Sequence, residues 1–348
     1  MRKLFGYILT LTVAIILLTG CGFSSSTENL TKAFEQIGEL DYQGALDTLG
    51  VARESEEDER LIQRAEGIAY LGMGKYDEAI SSFIGALSSS DGIVTDMDFD
   101  INYYLATAYY KKGMIDEALS VYDSILALED DAVDALYLSG VLHSERNEID
   151  LAMSNFDKAI NLAPNNYDML IQIYSILSQN GYKEVGLNYL RAAMDAGTKK
   201  MSNYEKGQIS FYLEDYESAR TYLEKAKDEK GYEAVLFLGK TYETLGDVNY
   251  AISVYSSFIN AGGNSPEVLN QMGLCKMKME DYEGALSAFQ QAMNIEGNTI
   301  MQTLKFNEIV AYEHIGDFKK ACVLAESYLR TYPDDENAKR EYQFLKTR

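Results

Sequence analysis

Few residues in this chain could do chemistry: three cysteines, two histidines, and short clusters of glycine or aspartate. Cys21 ends an apolar run in LLTGCG (17–22), where a thiol could be half of a disulfide, a buried filler or a chemical handle. His143 and His314 lie more than 170 residues apart, and neither belongs to a zinc-protease helix pair or another metal-ligand spacing. Gly72-Met73-Gly74-Lys75 matches part of a phosphate loop, but Tyr76 stands where that loop needs Ser or Thr, and Ala69 where it needs glycine. An inter-helix turn is the better reading. Asp96, Asp98 and Asp100 match the start of a calcium loop, yet Ile101 replaces its glycine and Thr107 its final glutamate. These aspartates are expected to cap a helix beginning near Asp100. Cys275 and Cys322 are read as free, buried thiols, with a disulfide between them as the alternative in an oxidising compartment. No catalytic, metal or cofactor site is expected, and the chain is not read as an enzyme.

The elements that hold these residues are helices. Three prolines stand against 27 tyrosines in 348 residues, and proline is the residue that breaks helix interiors. One pattern recurs along the chain: GKYDEAISSFIGAL (74–87), GMIDEALSVYDSIL (113–126), NEIDLAMSNFDKAI (147–160), GDVNYAISVYSSFI (246–259) and EDYEGALSAFQQAM (280–293). Aligning on the small residue gives Ala45, Ala79, Ala118, Ala152, Val185, Ala219, Ala251, Ala285 and Ala321, in steps of 32 to 39 residues. A glycine stands twelve residues earlier in several copies, at Gly67, Gly140, Gly207, Gly239 and Gly273. Small residues there let two helices cross closely, and aromatics such as Tyr42, Tyr76, Tyr216, Tyr282 and Phe318 are expected beside the crossing.

A helix–turn–helix unit with a period near 34 residues resembles the tetratricopeptide repeat (TPR). The resemblance covers roughly residues 26 to 335. It implies an all-α, right-handed α-solenoid of about nine repeats with a C-terminal capping helix at 336–348. The repeats are expected near 26–59, 60–93, 99–132, 133–166, 167–199, 200–232, 233–265, 266–299 and 302–335, within a solenoid at 28–335. Two departures stand out: SSSDGIVTDMD (88–98) is an insertion, and the fifth repeat carries Val185 and Ile173 where small residues are usual. His143 replaces a packing tyrosine, His314 is expected to face solvent, and ESEEDER (54–60) reads as a solvated turn.

The N-terminus reads as an address. Arg2 and Lys3 precede an apolar stretch from Leu4 to Leu18, short for a membrane span and suited to a cleaved signal. Leu18-Thr19-Gly20-Cys21 resembles the bacterial lipobox. The resemblance implies a lipoprotein signal peptide at 1–20 and a fatty-acylated (palmitate-bearing) Cys21. A flexible tether at 21–27 follows, and the protein is held at the outer face of the cell membrane, or at the outer membrane of a Gram-negative cell. The net charge of −23 and the lack of Lys/Arg clusters exclude nucleic acid as partner.

In the TPR family the first helix of each repeat lines a groove that holds peptides or proteins. Carried over by position, that groove comprises Arg64 and Ile68; Tyr103, Thr107 and Tyr110; Tyr137, Val141 and Ser144; Leu170 and Tyr174; Tyr204, Gln208 and Phe211; Lys240; and Asn270. Its tyrosines and phenylalanine offer large contact area at low entropic cost. The basic groove that grips carboxylates elsewhere in the family is absent, Tyr and Thr standing at those positions. The expected function is therefore a membrane-anchored protein–protein interaction scaffold or recruitment module at the cell envelope. The alternative is a glycan- or small-ligand-binding lipoprotein using the same aromatic groove.

Overall fold

A computed structural model of the chain describes residues 27–90, 92–197, 201–227 and 231–348. The expected signal peptide and Cys21 lie outside the described residues. Among those described, all regular structure is helical, in nineteen helices, and no helix is long and apolar enough to cross a membrane.

The chain divides into two compact units, the first ending at Ala163. In the first, antiparallel pairs follow one another: α1 (Glu28–Gly38) with α2 (Tyr42–Glu54), α3 (Glu59–Gly72) with α4 (Tyr76–Ser88), α5 (Asp96–Lys112) with α6 (Ile115–Leu128), and α7 (Val133–Glu145) with α8 (Ile149–Leu162). The second holds α9 (Tyr167–Gln179) with α10 (Lys183–Gly197), α11 (Asn203–Tyr212) with α12 (Tyr216–Ala226), and α13 (Tyr232–Thr244) with α14 (Val248–Asn260). It continues with α15 (Pro266–Lys278) and α16 (Tyr282–Met293), then α17 (Met301–Ile315) and α18 (Phe318–Thr331), and closes with α19 (Glu336–Leu345) packed on α18.

The turn inside each pair is a two-residue device. One residue takes the left-handed conformation that lets the chain reverse: Leu40, Gly74, Gly113, Asn147, Gly181, Glu214, Gly246, Glu280 and Gly316. Left-handed backbone crowds a Cβ, which is why glycine fills most of these places. In five pairs the next residue is an aspartate (Asp41, Asp215, Asp247, Asp281, Asp317) whose carboxylate accepts a backbone N–H of the second helix. Such an N-cap contributes about 1 kcal/mol.

Packing within each pair is set by one close approach. The aligned alanines from Ala45 to Ala321 are completely buried. In four pairs the ring four residues beyond the alanine lies against the glycine of the first helix: a Cβ on Gly67 would meet Phe83 at 2.4 Å, and on Gly273 would meet Phe289 at 2.4 Å, while in the sixth pair Leu223 takes that place against Gly207. These rings are fully buried, whereas Tyr42, Tyr76, Tyr216, Tyr282 and Phe318, expected beside the crossing, are only half-buried. In the fifth pair the small residue moves one place, to Gly186, where a Cβ would lie 3.0 Å from Cα of Tyr174.

Three expectations are corrected. Helix α5 begins at Asp96, not near Asp100, because Thr95 and Asp98 form a reciprocal capping box and Arg60 pairs with Asp98. The turn at 54–60 is not wholly solvated: Glu57 is buried, and its carboxylate accepts from the backbone of Leu30 at 3.0 Å and the side chain of Asn29 at 2.8 Å, capping α1. Cys275 is a free buried thiol held in protonated form by burial, while Cys322, also free, is half-exposed.

Candidate functional site

In the first unit the groove positions lie on α3, α5 and α7. Arg64 stands over the rings of Phe34 and Tyr104 at 5.5 and 5.8 Å, and its guanidinium pairs with Asp100 at 2.6 Å. Its charge is thereby neutralised within the unit. Tyr103 is half-buried, tilted against Tyr122 at 6.3 Å; burial and the nearby Asp134 carboxylate push its phenol up to about 12. Thr107 is buried and donates to the carbonyl of Tyr103 at 2.9 Å, a bond that folds its hydroxyl back onto its own helix. Tyr110 is half-buried and donates its hydroxyl to Glu145 at 2.9 Å. Tyr137 and Val141 are buried, as are Ile68 and Ser144. Thr107, Tyr110 and Val141 converge with Tyr122 and Leu142 on a small cavity of about 20 Å³, room for about one water molecule.

In the second unit the positions fall on α9, α11, α13 and α15. Tyr174 and Tyr204 are buried at 8% exposure each, and Leu170 is buried beside them. Phe211 is half-buried, and around it the rings form a cluster. Tyr174 meets Tyr212 at 5.1 Å; Phe211 meets Phe237 at 5.6 Å and Tyr212 at 5.9 Å; Tyr204 meets Phe237 at 6.1 Å. Lys240 lies over Phe237 at 5.9 Å, and burial lowers its ammonium pKa. Gln208 is buried, and its Oε1 has no hydrogen-bond partner. Asn270 is buried and accepts from Asn307 at 2.8 Å, joining α15 to α17.

Within each unit, much of the set of tyrosines expected to line the groove is packed rather than open. Transferring family positions missed Tyr212 and Phe237, although both carry a signal. Tyr212 lies four residues after Gln208 and Phe237 three before Lys240, spacings that put each on its neighbour's helix face. His143 is half-buried against Glu148 at 2.7 Å, and exposed His314 stacks on Tyr282 at 4.9 Å. Among the described residues no group of three or more His, Cys, Asp or Glu is placed to hold a metal ion.

Comparisons with known proteins fit this architecture. Two tetratricopeptide repeat models match, one at residues 64–128 and 103–167, the other at 202–230 and 266–299. A TPR repeat-containing protein of Methanocaldococcus jannaschii is 25% identical over 270 residues, 72% of this chain and 41% of that protein. The DnaJ protein P58IPK homolog B of Oryza sativa is 29% identical over 170 residues, 48% of this chain and 32% of that protein. The matches therefore span less than half the length of these relatives. The crystal structure of the yeast Tom70 shares the fold with a TM-score of 0.53 at 15% identity, covering 92% of this chain and 88% of that one.

Proposed function

We propose, from the premise that this is a chain of tetratricopeptide repeats, that it is a lipid-anchored, non-catalytic module recruiting or scaffolding a protein partner at the cell envelope. Repeats of this kind mediate protein–protein interactions, because stacked helix pairs offer one extended surface that no single pair could form. The observation that carries the binding half of this reading is the half-buried aromatic surface on first helices, Tyr103 and Tyr110 in one unit and Phe211 with Phe237 in the other. The anchoring half is supported by Leu18-Thr19-Gly20-Cys21 alone. Each buried acyl methylene contributes about 0.8 kcal/mol, so two chains on Cys21 hold a protein on a bilayer.

Between peptide and glycan, ring geometry favours peptide. Phe211, Tyr212 and Phe237 pack edge-to-face at 75 to 82°, so their faces are largely spent on one another rather than open as a platform for sugar rings. Two experiments test the proposal. Crosslinking in intact cells is expected to trap a specific envelope protein; no trapping above background at several crosslinker lengths overturns the scaffold. Cys21→Ser is expected to release the chain from membranes, and unchanged acyl labelling in that variant overturns the anchor.

A further inference from the structure

Charge is unevenly shared along this chain of net charge −23: residues 28–59 hold ten acidic side chains and two basic ones, whereas residues 319–348 hold seven basic and five acidic. Helix geometry sorts both segments into stripes. On α19 Arg340, Phe344 and Arg348 follow at four-residue steps, the spacing of one helix face. Arg348 stands just past the helix, yet its N–H donates to the carbonyl of Leu345 at 3.2 Å, so the turn continues to it. Phe344, 40% exposed, lies between two exposed arginines. The guanidinium of Arg348 sits over the Phe344 ring at 4.7 Å and over Phe318 of α18 at 6.0 Å, which holds it in place on the surface. Arg340 donates to Asn337 of its own helix.

Helix α2 carries the converse stripe. Asp47, Val51 and Glu54 share one face at steps of four and three residues, and all three are exposed, Val51 at 49%. Asp47 accepts from Gln43 at 3.1 Å on the same helix. Nearby charges are already paired, Arg53 with Glu59 at 3.0 Å and Lys339 with Glu336 at 2.6 Å. Among the described residues Arg340, Arg348, Asp47 and Glu54 make no salt bridge. At the rise of an α-helix the two acids stand about 10 Å apart and the two arginines about 12 Å, with an apolar side chain between each pair. We infer that α19 of one copy docks on α2 of a second copy, Phe344 against Val51, with Arg340 and Arg348 paired to Asp47 and Glu54. An anionic bilayer is the poorer occupant, because Asp334, Asp335 and Glu336 border the same helix and the whole chain is acidic. Repulsion between two acidic copies does not forbid the contact: charges more than about 8 Å apart are largely screened at physiological salt, so the facing stripes decide. This self-association goes beyond the recruiting role and does not depend on it.

Sedimentation velocity on the purified full chain at physiological salt tests the contact. The average mass is expected to rise with concentration across the micromolar range, because a contact between two different faces lets copies add in series. Raising the salt from about 0.15 M to about 0.5 M is expected to weaken association several-fold. Arg340→Glu combined with Arg348→Glu is expected to raise the apparent dissociation constant roughly tenfold or more, and so is Asp47→Arg combined with Glu54→Arg. Circular dichroism should be unchanged in both, since all four side chains are exposed. Mixing the two reversed variants is expected to restore association, because every mixed contact again joins opposite charges. Phe344→Ala, which alters no charge, should weaken wild-type association several-fold. A wild-type chain that stays monomeric, association that ignores either reversal, or a mixture that remains dissociated each overturns the inference. So does a monomeric wild-type chain that binds phosphatidylglycerol vesicles through Arg340 and Arg348, which would give this face to lipid.

Discussion

A Cβ placed on Gly239 would lie 2.1 Å from Cζ of Tyr255, closer than two carbon atoms can approach. The fully buried ring of Tyr255 therefore packs against bare backbone of the facing helix, and its hydroxyl reaches past it to Glu243 at 3.1 Å. The relationship recurs at Gly67 with Phe83, Gly140 with Phe156 and Gly273 with Phe289.

Gly239→Ala is accordingly expected to destabilise the second unit by about 1–3 kcal/mol, the usual cost of overpacking a filled core. Gly50→Ala is the control: it lies exposed inside α2 with nothing within 4 Å of the added carbon. There the helix propensity of alanine should add about 0.5–1 kcal/mol. Denaturant unfolding of both variants checks the contrast in sign.

The left-handed turn residues predict gains. Glu280 adopts φ 60° where five sister turns carry glycine. Glu280→Gly should stabilise the chain by up to about 1 kcal/mol, because the Cβ strain disappears. Gly246→Ala, at φ 88°, should lose a comparable amount. Thermal melts of the pair are the measurement, and a loss in the Glu280 variant would contradict the reading.

The C-terminal helix should respond to pH. Burial raises the Glu341 carboxyl pKa, and the facing Glu313 carboxyl raises it further; Oε1 of Glu341 is buried without a partner. The folded state thus holds this proton more tightly than the unfolded chain. Stability from the protonated form is present at pH below the unfolded carboxyl value and falls as pH rises through the folded one. Glu341→Gln should slow hydrogen exchange in α19 at neutral pH and flatten its dependence between acidic and neutral pH.

Glu57 predicts a local effect. Its carboxylate closes the start of α1 through Leu30 and Asn29, so Glu57→Ala should open that helix selectively. Leu30 amide exchange should speed up by a factor corresponding to roughly 1–3 kcal/mol, while amides of the second unit stay as protected as before.

Choosing a binding variant depends on burial. Tyr137 is 7% exposed against Phe156, so Tyr137→Ala would lose about 3–5 kcal/mol of core packing before reporting on any partner. Tyr103, half-buried beside Asp134, is the better probe. Tyr103→Ala is expected to weaken capture of the crosslinked partner while leaving the circular dichroism unchanged. Undiminished capture would remove Tyr103 from the interface.

By itself the sequence determined the helical class, the pairing of helices and the aligned small residues, because periodicity and turn chemistry are local properties that spacing displays directly. The alanines from Ala45 to Ala321 and the Gly/Asp turns were legible for that reason. Tertiary structure alone decided which aromatic fills each crossing, that Glu57 in a charged turn is buried as a cap, and that Gly186 takes over in the fifth pair. It alone also gathered Tyr212 and Phe237 around Phe211. These depend on which side chains meet across helices distant in sequence, and a repeat motif places residues on a face without saying how much of that face its neighbours cover. The lipobox proposed at Leu18-Thr19-Gly20-Cys21 is the converse case: that reading rests on four consecutive residues outside the described ones, and the folded repeats add nothing to it.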